Sequence, residues 1–484
     1  MNWTFRALAS LILLTANLIV ASALAQSNPV PQVVGPPQPQ AIAPGGGDFT
    51  LRVYGANFVP GAVVNWNRQP RLTTFISARE LEVQILASDV ATATAGYITV
   101  TNPAPGGGLS SSSWSLVEVH TPTATIAPGN PIIYLYGFAN VPSLLAADFT
   151  NDGILDLAAG LANRTINVSL GKGNATFSHI SNATYVYNTA LFGLESTAYG
   201  DFNGDGKLDL VYATDTDPAE GTLGLGVSLG NGNGTFDSGW RYLDSTAGSI
   251  VDFVVGDFNR DGKLDLVGGD CCITYVFLGN GDGTFQPTTT YQDVGGIDLQ
   301  VGDFNGDGIL DLAIEGGAEN FPISVALGNG DGKFQPPVTI TNADGGCGFG
   351  QTMLVSDFNG DGNLDIAFCT ATSIGILLGN GNGTFQSPTY YDVSSSSFTI
   401  AAGDFNSDGK TDLIVSSNVD SDQFWILLGN GDGTFQPPSL VKVPGPLASG
   451  ELGIVTGDFD SDGLLDFIFQ FGGYGFGVYP QQQK

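Results

Sequence analysis

The chain alternates. Between Ala41 and Val119 apolar residues recur at every second position: Phe49, Leu51 and Val53, then Val64 and Trp66, then Leu81, Val83 and Ile85, then Ile98 and Val100, then Trp114 and Leu116. A period of two is the pattern of a strand with one face buried. PGGG at 44–47, VPG at 59–61 and NPAPGGG at 102–108 break the runs as turns do. The pattern predicts about six or seven short strands, enough for a small immunoglobulin-like β-sandwich.

From residue 131 onward the alternation becomes periodic. A ten-residue stretch that opens and closes on apolar strands returns as DFTNDGILDL at 148–157, DFNGDGKLDL at 201–210, DFNRDGKLDL at 257–266 and DFNGDGILDL at 303–312. Further copies are DFNGDGNLDI at 357–366, DFNSDGKTDL at 404–413 and DFDSDGLLDF at 458–467, which makes seven. Successive copies lie 53, 56, 46, 54, 47 and 54 residues apart. A second motif is interleaved: LGNGNGTF at 229–236 and 378–385, LGNGDGTF at 278–285 and 428–435, LGNGDGKF at 327–334, and the weaker LGKGNATF at 170–177. Its glycines supply positive φ in quick succession, so it reads as a tight hairpin turn rather than an ion site, and its closing Phe as a core residue.

Each unit parses into four strands, in the second at Thr197–Gly200, Lys207–Ala213, Leu223–Leu229 and Gly239–Leu243. Units of this length that cannot bury their own faces stack radially. The fold expected is therefore all-β: a seven-bladed β-propeller preceded by the small immunoglobulin-like β-sandwich. The seventh unit has room for three strands before the chain ends, and the spare apolar run PIIYLYG at 131–137 supplies the fourth. The ring closes at seven.

The acidic stretches carry the candidate chemistry. Counted from the first Asp, oxygen side chains fall at positions 1, 3, 5 and 9, Gly at 6 permits a sharp turn, and the carbonyl at 7 adds a fifth group. Hard cations such as Ca²⁺ take six to eight oxygens. The candidate ligand sets are Asp148, Thr150, Asp152, Ile154 and Asp156; Asp201, Asn203, Asp205, Lys207 and Asp209; Asp257, Asn259, Asp261, Lys263 and Asp265; and Asp303, Asn305, Asp307, Ile309 and Asp311. The remaining three are Asp357, Asn359, Asp361, Asn363 and Asp365; Asp404, Asn406, Asp408, Lys410 and Asp412; and Asp458, Asp460, Asp462, Leu464 and Asp466. Thr150 makes the first set the poorest. An EF-hand is excluded, because it needs a carboxylate at position 12 on an emerging helix. Here position 12 is Ala159, Tyr212, Gly268, Ile314, Phe368, Val415 or Phe469. The competing reading, plain Asx and Gly turns with no metal, leaves repeated like charges unbalanced.

The pairing of DxNxDGxxD with LGNGDGTF resembles the FG-GAP/VCBS repeat, the blade unit also found in the integrin α-subunit propeller, over residues 131–484. The resemblance implies up to seven structural Ca²⁺ ions, held by the positions just given. Likewise "AIAPGGGDFTLRVYGANFVPGAVVNWN" and "ITVTNPAPGGGLSSS" resemble the IPT/TIG family of immunoglobulin-like domains over 41–119, usually spacers or interaction modules.

The ends and the composition narrow the setting. Arg6, the apolar run Ala7–Ala23 and the triplet Ala23-Leu24-Ala25 have the layout of a signal peptide spanning 1–25, and an uncleaved anchor is disfavoured because Asn17 interrupts the run. A Pro/Gln-rich linker is expected at 26–40 and a second linker at 120–130. An exported chain, secreted or periplasmic or at the cell surface, follows as the expectation. Forty-seven Asp+Glu against 15 Lys+Arg argue against nucleic acid or an anionic membrane as partner. Four cysteines, Cys271, Cys272, Cys347 and Cys369, permit two disulfides, and Cys347 with Cys369 is the favoured pair because both fall at one end of one blade.

The acidic and glycine turns share one face of the ring. The opposite face carries unlike connections, ATDTDPAEGT at 213–222, GGDCC at 268–272, EGGAENFP at 315–322 and SSNVDSDQ at 416–423. That is where a binder of protein or glycan would place its specificity. Only two histidines occur, His120 and His179, and no GxSxG or HExxH motif, so a non-enzymatic adhesion or recognition protein is expected. The alternative is an extracellular polysaccharide hydrolase or lyase. Its carboxylates would come from Asp215, Asp217, Glu220, Glu315 and Glu319, otherwise solvated loop charges, and Trp240, Tyr242 and Trp425 could stack on sugar.

Overall fold

A computed structural model describes residues 27–110, 115–123, 126–135, 143–160, 165–179, 184–185, 197–217, 222–237, 250–270, 273–292, 295–316, 321–343, 352–393, 399–416, 423–443, 453–471 and 475–482. The N-terminal part is two packed sheets. One orders Gln32–Val33, Phe49–Ala56, Glu80–Ile85 and Thr73–Ser77; the other orders Ala41–Ile42, Ser115–Val119, Thr94–Asn102, Val63–Trp66 and Gln69–Pro70. The alternating residues meet between them: Leu51, Val53, Val64, Leu81, Val83, Ile85 and Val100 are wholly buried. Trp66 lies across Gly96, where a Cβ would come within 2.2 Å of the indole, so a side chain at 96 would displace the ring. Trp114 lies outside the described residues.

The described parts of both expected linkers are packed structure instead. Gln32–Val33 pairs antiparallel with Gly55 and Ala56, and Val30, Gln32, Val33 and Gln40 are buried. Farther on, Thr123 N–H donates to the Asn406 carbonyl at 2.7 Å, and Pro128 bridges to Gln481. A segment rich in Pro and Gln has few backbone donors and weak local preference. It stays extended, and here an open strand edge takes up the donors it has.

Past residue 130 the described residues form seven sheets. Their innermost strands are Ser143–Ala147, Thr197–Gly200, Asp252–Gly256, Asp298–Gly302, Met353–Ser356, Ile400–Gly403 and Ile454–Gly457. Each touches the next, and Ile454–Gly457 returns to Ser143–Ala147, so the strands form a closed cycle. This is a β-propeller arrangement. Within a sheet the strands run as an antiparallel meander; in the fourth, Asp298–Gly302, Asp311–Glu315, Pro322–Ala326 and Val338–Asn342. In the last sheet Ile132–Leu135 pairs antiparallel with Gly475–Tyr479, outside Asp466–Phe471 and Ile454–Gly457. The second sheet has three described strands, and its expected outer strand at 239–243 lies outside the described residues.

The two motifs join neighbouring sheets. At six of the seven junctions the acidic motif's Phe packs against the Phe that closes the glycine turn of the next sheet, as Phe202 on Phe285 at 5.8 Å, Phe258 on Phe334 at 5.7 Å, Phe304 on Phe385 at 6.0 Å and Phe358 on Phe435 at 5.5 Å between ring centroids. The second glycine of that turn donates its N–H to the same Phe's carbonyl, as Gly383 does to Phe304 at 2.8 Å. The last sheet has no glycine turn, since its outer strand comes from the other end of the chain. Gln481 stands in: its N–H donates to Asp466 Oδ1 at 2.8 Å and its Nε2 to the Phe405 carbonyl at 2.8 Å. The seventh to first junction repeats the rule through Ala175 N–H and the Phe459 carbonyl at 2.8 Å.

The sandwich sits on the face of the ring that carries the acidic loops. Asn57 N–H donates to the Gly308 carbonyl and Asn57 Nδ2 to the Asp257 carbonyl, both at 3.0 Å. Val30 N–H reaches Asp257 Oδ2 at 2.8 Å, and Tyr97 O–H the Asp458 carbonyl at 3.1 Å. Arg79 donates to the Gly362 carbonyl, and Ser407 O–H donates to Glu118. A Cβ on Gly308 would lie 2.4 Å from that of Ala78, and φ there is +77°, so glycine is required twice over. Beneath the sandwich a cavity of about 470 Å³ lies among the innermost strands, with Pro36, Pro37, Gln40 and Glu118 on one side and Leu145, Val355 and Ala402 on the other.

Candidate metal centres

All seven acidic loops fold alike. The position-1 carboxylate curls over its own loop: its Oδ1 accepts the N–H of position 5 and its Oδ2 the N–H of Gly at position 6, at 3.0 and 2.8 Å for Asp201. The carboxylate at position 5 accepts the N–H of position 7, from 2.7 Å at Asp361 to 3.1 Å at Asp408. Asn at position 3 accepts the N–H of position 5, at 2.8 Å for Asn203. These are Asx turns in series, and position 4 takes a positive φ even without glycine, at Asn151, Arg260, Ser407 and Ser461. The loops therefore gather their oxygen side chains on a short backbone arc.

Position 9 behaves differently from the other three. Its Asp is wholly buried in every loop, Asp156, Asp209, Asp265, Asp311, Asp365, Asp412 and Asp466. In six of them Oδ2 accepts the N–H of the motif's Phe, and in the first that of Thr150; Oδ1 accepts the N–H of Gly171, Gly230, Gly279, Gly328, Gly379, Gly429 or Gln481. This residue ties the acidic loop to the neighbouring turn within its sheet. That duty has no signal in the spacing, which showed only an oxygen in register.

Electrostatics describe what the cluster lacks. Burial, with like-charged neighbours in the same loop, pushes Asp209, Asp311 and Asp365 up to about 7 and Asp265 and Asp412 to about 8. Asp156 rises to about 6 and Asp466 well above the usual carboxylate range. At position 1, burial lifts Asp257 to about 6 and Asp404 and Asp458 to about 7. These carboxylates are short of positive charge, and a hard cation with oxygen ligands supplies it. In the seventh loop Asp458, Asp460 and Asp462 each place a ligand oxygen within 4.8 Å of the others, and the three can hold a metal ion. These three residues fit a divalent cation.

A pH dependence follows. With no metal bound, the raised carboxylates keep protons in the folded state that they release when unfolded, across roughly pH 4 to 8. More protons on the folded side mean that stability falls as pH rises through that window. The metal-free protein should melt at a higher temperature at pH 5 than at pH 8. Added calcium should raise the pH 8 value most, because the ion takes the ionised form. A metal-free melting temperature that climbs from pH 5 to pH 8 would contradict this.

Candidate residues on the opposite face separate. Glu315 is not a solvated loop charge but fully buried: Thr352 O–H donates to its Oε2 at 2.6 Å, and burial beside Asp298 pushes it up to about 8. Asp298, which the sequence did not single out, accepts the N–H groups of Thr352 and Met353 at 2.6 and 2.8 Å and so stitches the fourth sheet to the fifth. The sequence reading placed Glu315 in the connection 315–322, whereas it is the last residue of the strand Asp311–Glu315. Trp425 is partly buried and packs against the core between the fifth and sixth sheets. Asp215 and Asp217 lie on the strand Asp209–Asp217, while Glu220, Glu319, Trp240 and Tyr242 lie outside the described residues. So do Cys271, Cys272 and Cys347; Cys369 is buried at the end of Asp365–Cys369.

Comparison with known proteins adds to this. Residues 148–212, 201–268, 357–415 and 404–469 match the FG-GAP-like repeat family, each match spanning two successive acidic loops. No curated protein sequence matches the chain. Among solved structures, an Agrocybe aegerita lectin that recognises non-reducing terminal N-acetylglucosamine is similar at 20% identity over 78% of this chain and 95% of its own, with a TM-score of 0.48. BBS1N in complex with ARL6DN is similar at 11% identity over 74% and 98%, also at 0.48. A Bacillus licheniformis rhamnogalacturonan lyase is similar at 12% identity over 94% and 91%, with a TM-score of 0.41.

Proposed function

We propose that these FG-GAP-like repeats form a seven-bladed, calcium-braced propeller that works outside the cytoplasm as a recognition or adhesion protein, binding a protein or a glycan. The immunoglobulin-like sandwich, of the IPT/TIG kind, caps it. One observation carries the reading: the sandwich covers the acidic-loop face, through Val30, Asn57, Arg79, Tyr97 and Glu118. A partner is left the opposite rim, where the connections between strands differ from blade to blade. Calcium is the ion of choice because the ligands are all oxygen and the loops are irregular. Magnesium would demand stricter octahedral geometry. Its work is structural: the ions neutralise carboxylates under the cap.

The test is binding of the mature protein to glycan and matrix-protein arrays, in calcium and in chelator. Retention that needs calcium, with the ligand recovered intact, is the expected result. Retention should also fall when the loop at 416–423 is replaced by a short Gly/Ser turn. Oligosaccharide released into solution would overturn the recognition reading in favour of a polysaccharide hydrolase or lyase.

A further inference from the structure

The first acidic loop is already served by a cation of the protein's own. Arg68, in the sandwich turn between Val63–Trp66 and Gln69–Pro70, forms an ion pair with Asp148 and donates to the Asn151 carbonyl. Asp148 is the position-1 carboxylate and is buried, while the Arg68 side chain is 38% exposed.

A carboxylate has about four lone-pair directions. At Asp148 all four are used: Oδ1 accepts Asp152 N–H at 3.1 Å and Thr150 O–H at 3.3 Å, and Oδ2 accepts Gly153 N–H at 2.8 Å and the guanidinium. By contrast Asp201, Asp404 and Asp458 each accept two backbone N–H groups from their loops. Asp357 is crowded as well, but by neutral N–H groups alone. Thr150 also spends its hydroxyl as a donor to Asp148, where Asn at the same position in five other loops offers an amide oxygen. The lysines at position 7 do not imitate Arg68, for Lys207, Lys263 and Lys410 pair with the position-5 carboxylate at the exposed rim.

We propose that the Arg68 guanidinium is the resident cation of the first loop, which therefore takes no metal ion and latches the sandwich to the propeller instead. A divalent ion there would meet a fixed positive charge and a carboxylate with no free lone pair. The latch holds whether or not the other loops are loaded. The inference rests on the calcium reading of those loops only for its contrast.

Ion counting by native mass spectrometry in calcium tests it site by site. Asp148→Asn should leave the number of bound ions unchanged, Asp458→Asn should remove one, and Arg68→Met combined with Thr150→Asp should add one. In chelator, Arg68→Met should lower the melting temperature by about 2–4 °C. Loss of an ion from Asp148→Asn, or identical melting of Arg68→Met and the parent in chelator, overturns the proposal. A parent that binds no ions, unchanged by Asp458→Asn, refutes the calcium reading, and the chelator comparison still decides on the latch.

Discussion

Metal-free protein is expected to unfold far below the calcium-loaded form. Extracellular calcium modules hold their ion with dissociation constants of roughly 10⁻⁴ to 10⁻³ M. At ten times that constant a site that exists only when folded stabilises by about 1.4 kcal/mol. Several such sites sum to about the net stability of a whole domain, roughly 5–15 kcal/mol. Geometry sharpens the expectation, since chelation removes the compensating positive charge from carboxylates whose ionised form burial already disfavours, such as Asp458 beside Asp460 and Asp462. Calorimetry in calcium and in chelator at pH 8 reads the effect, and superimposable melting curves would refute structural ions.

Asp412→Ala should be nearly as damaging, and by a different route. Asp412 is wholly buried and accepts the N–H of Phe405 at 3.1 Å and of Gly429 at 2.8 Å. Removing the carboxylate strands two buried donors, at about 1–3 kcal/mol each. Urea unfolding in chelator should show a loss of about 2–6 kcal/mol. Asp408→Ala, at position 5 of the same loop, is the control. It should weaken calcium binding yet cost far less in chelator, because only the Lys410 N–H and an exposed lysine contact depend on it. Equal losses for the two variants would mean that position 9 acts as a ligand alone and not as a tie.

Position 9 also shows where reading the sequence stops. An Asp nine residues after another, in a glycine-rich stretch, was legible as an oxygen in register but not as an acceptor for the next turn. Its partner Gly429 lies 17 residues away, across a strand pair whose register must be known first. Glu315 misled for a similar reason. A carboxylate at the head of a polar connection reads as a loop charge, whereas Glu315 is buried beside Asp298 and bonded by Thr352 from the neighbouring sheet.

What the chain determines by itself is whatever local chemistry encodes. Two-residue alternation set the strands, Asp, Asn and Gly at fixed offsets set the turns, and the spare run before the first acidic loop foretold the pairing of Ile132–Leu135 with Gly475–Tyr479. Those features depend on neighbours in sequence or on counting. The tertiary structure alone decided that the sandwich lies over the acidic loops, that residues 27–40 are packed rather than a tether, and that Arg68 enters the first loop. Several of these contacts reach far along the chain: Arg68 and Asn151 are 83 positions apart, and Gln40 and Thr411 are 371 apart. Their physical cause is shape and charge fit between two finished surfaces, a quantity that no local pattern of residues contains.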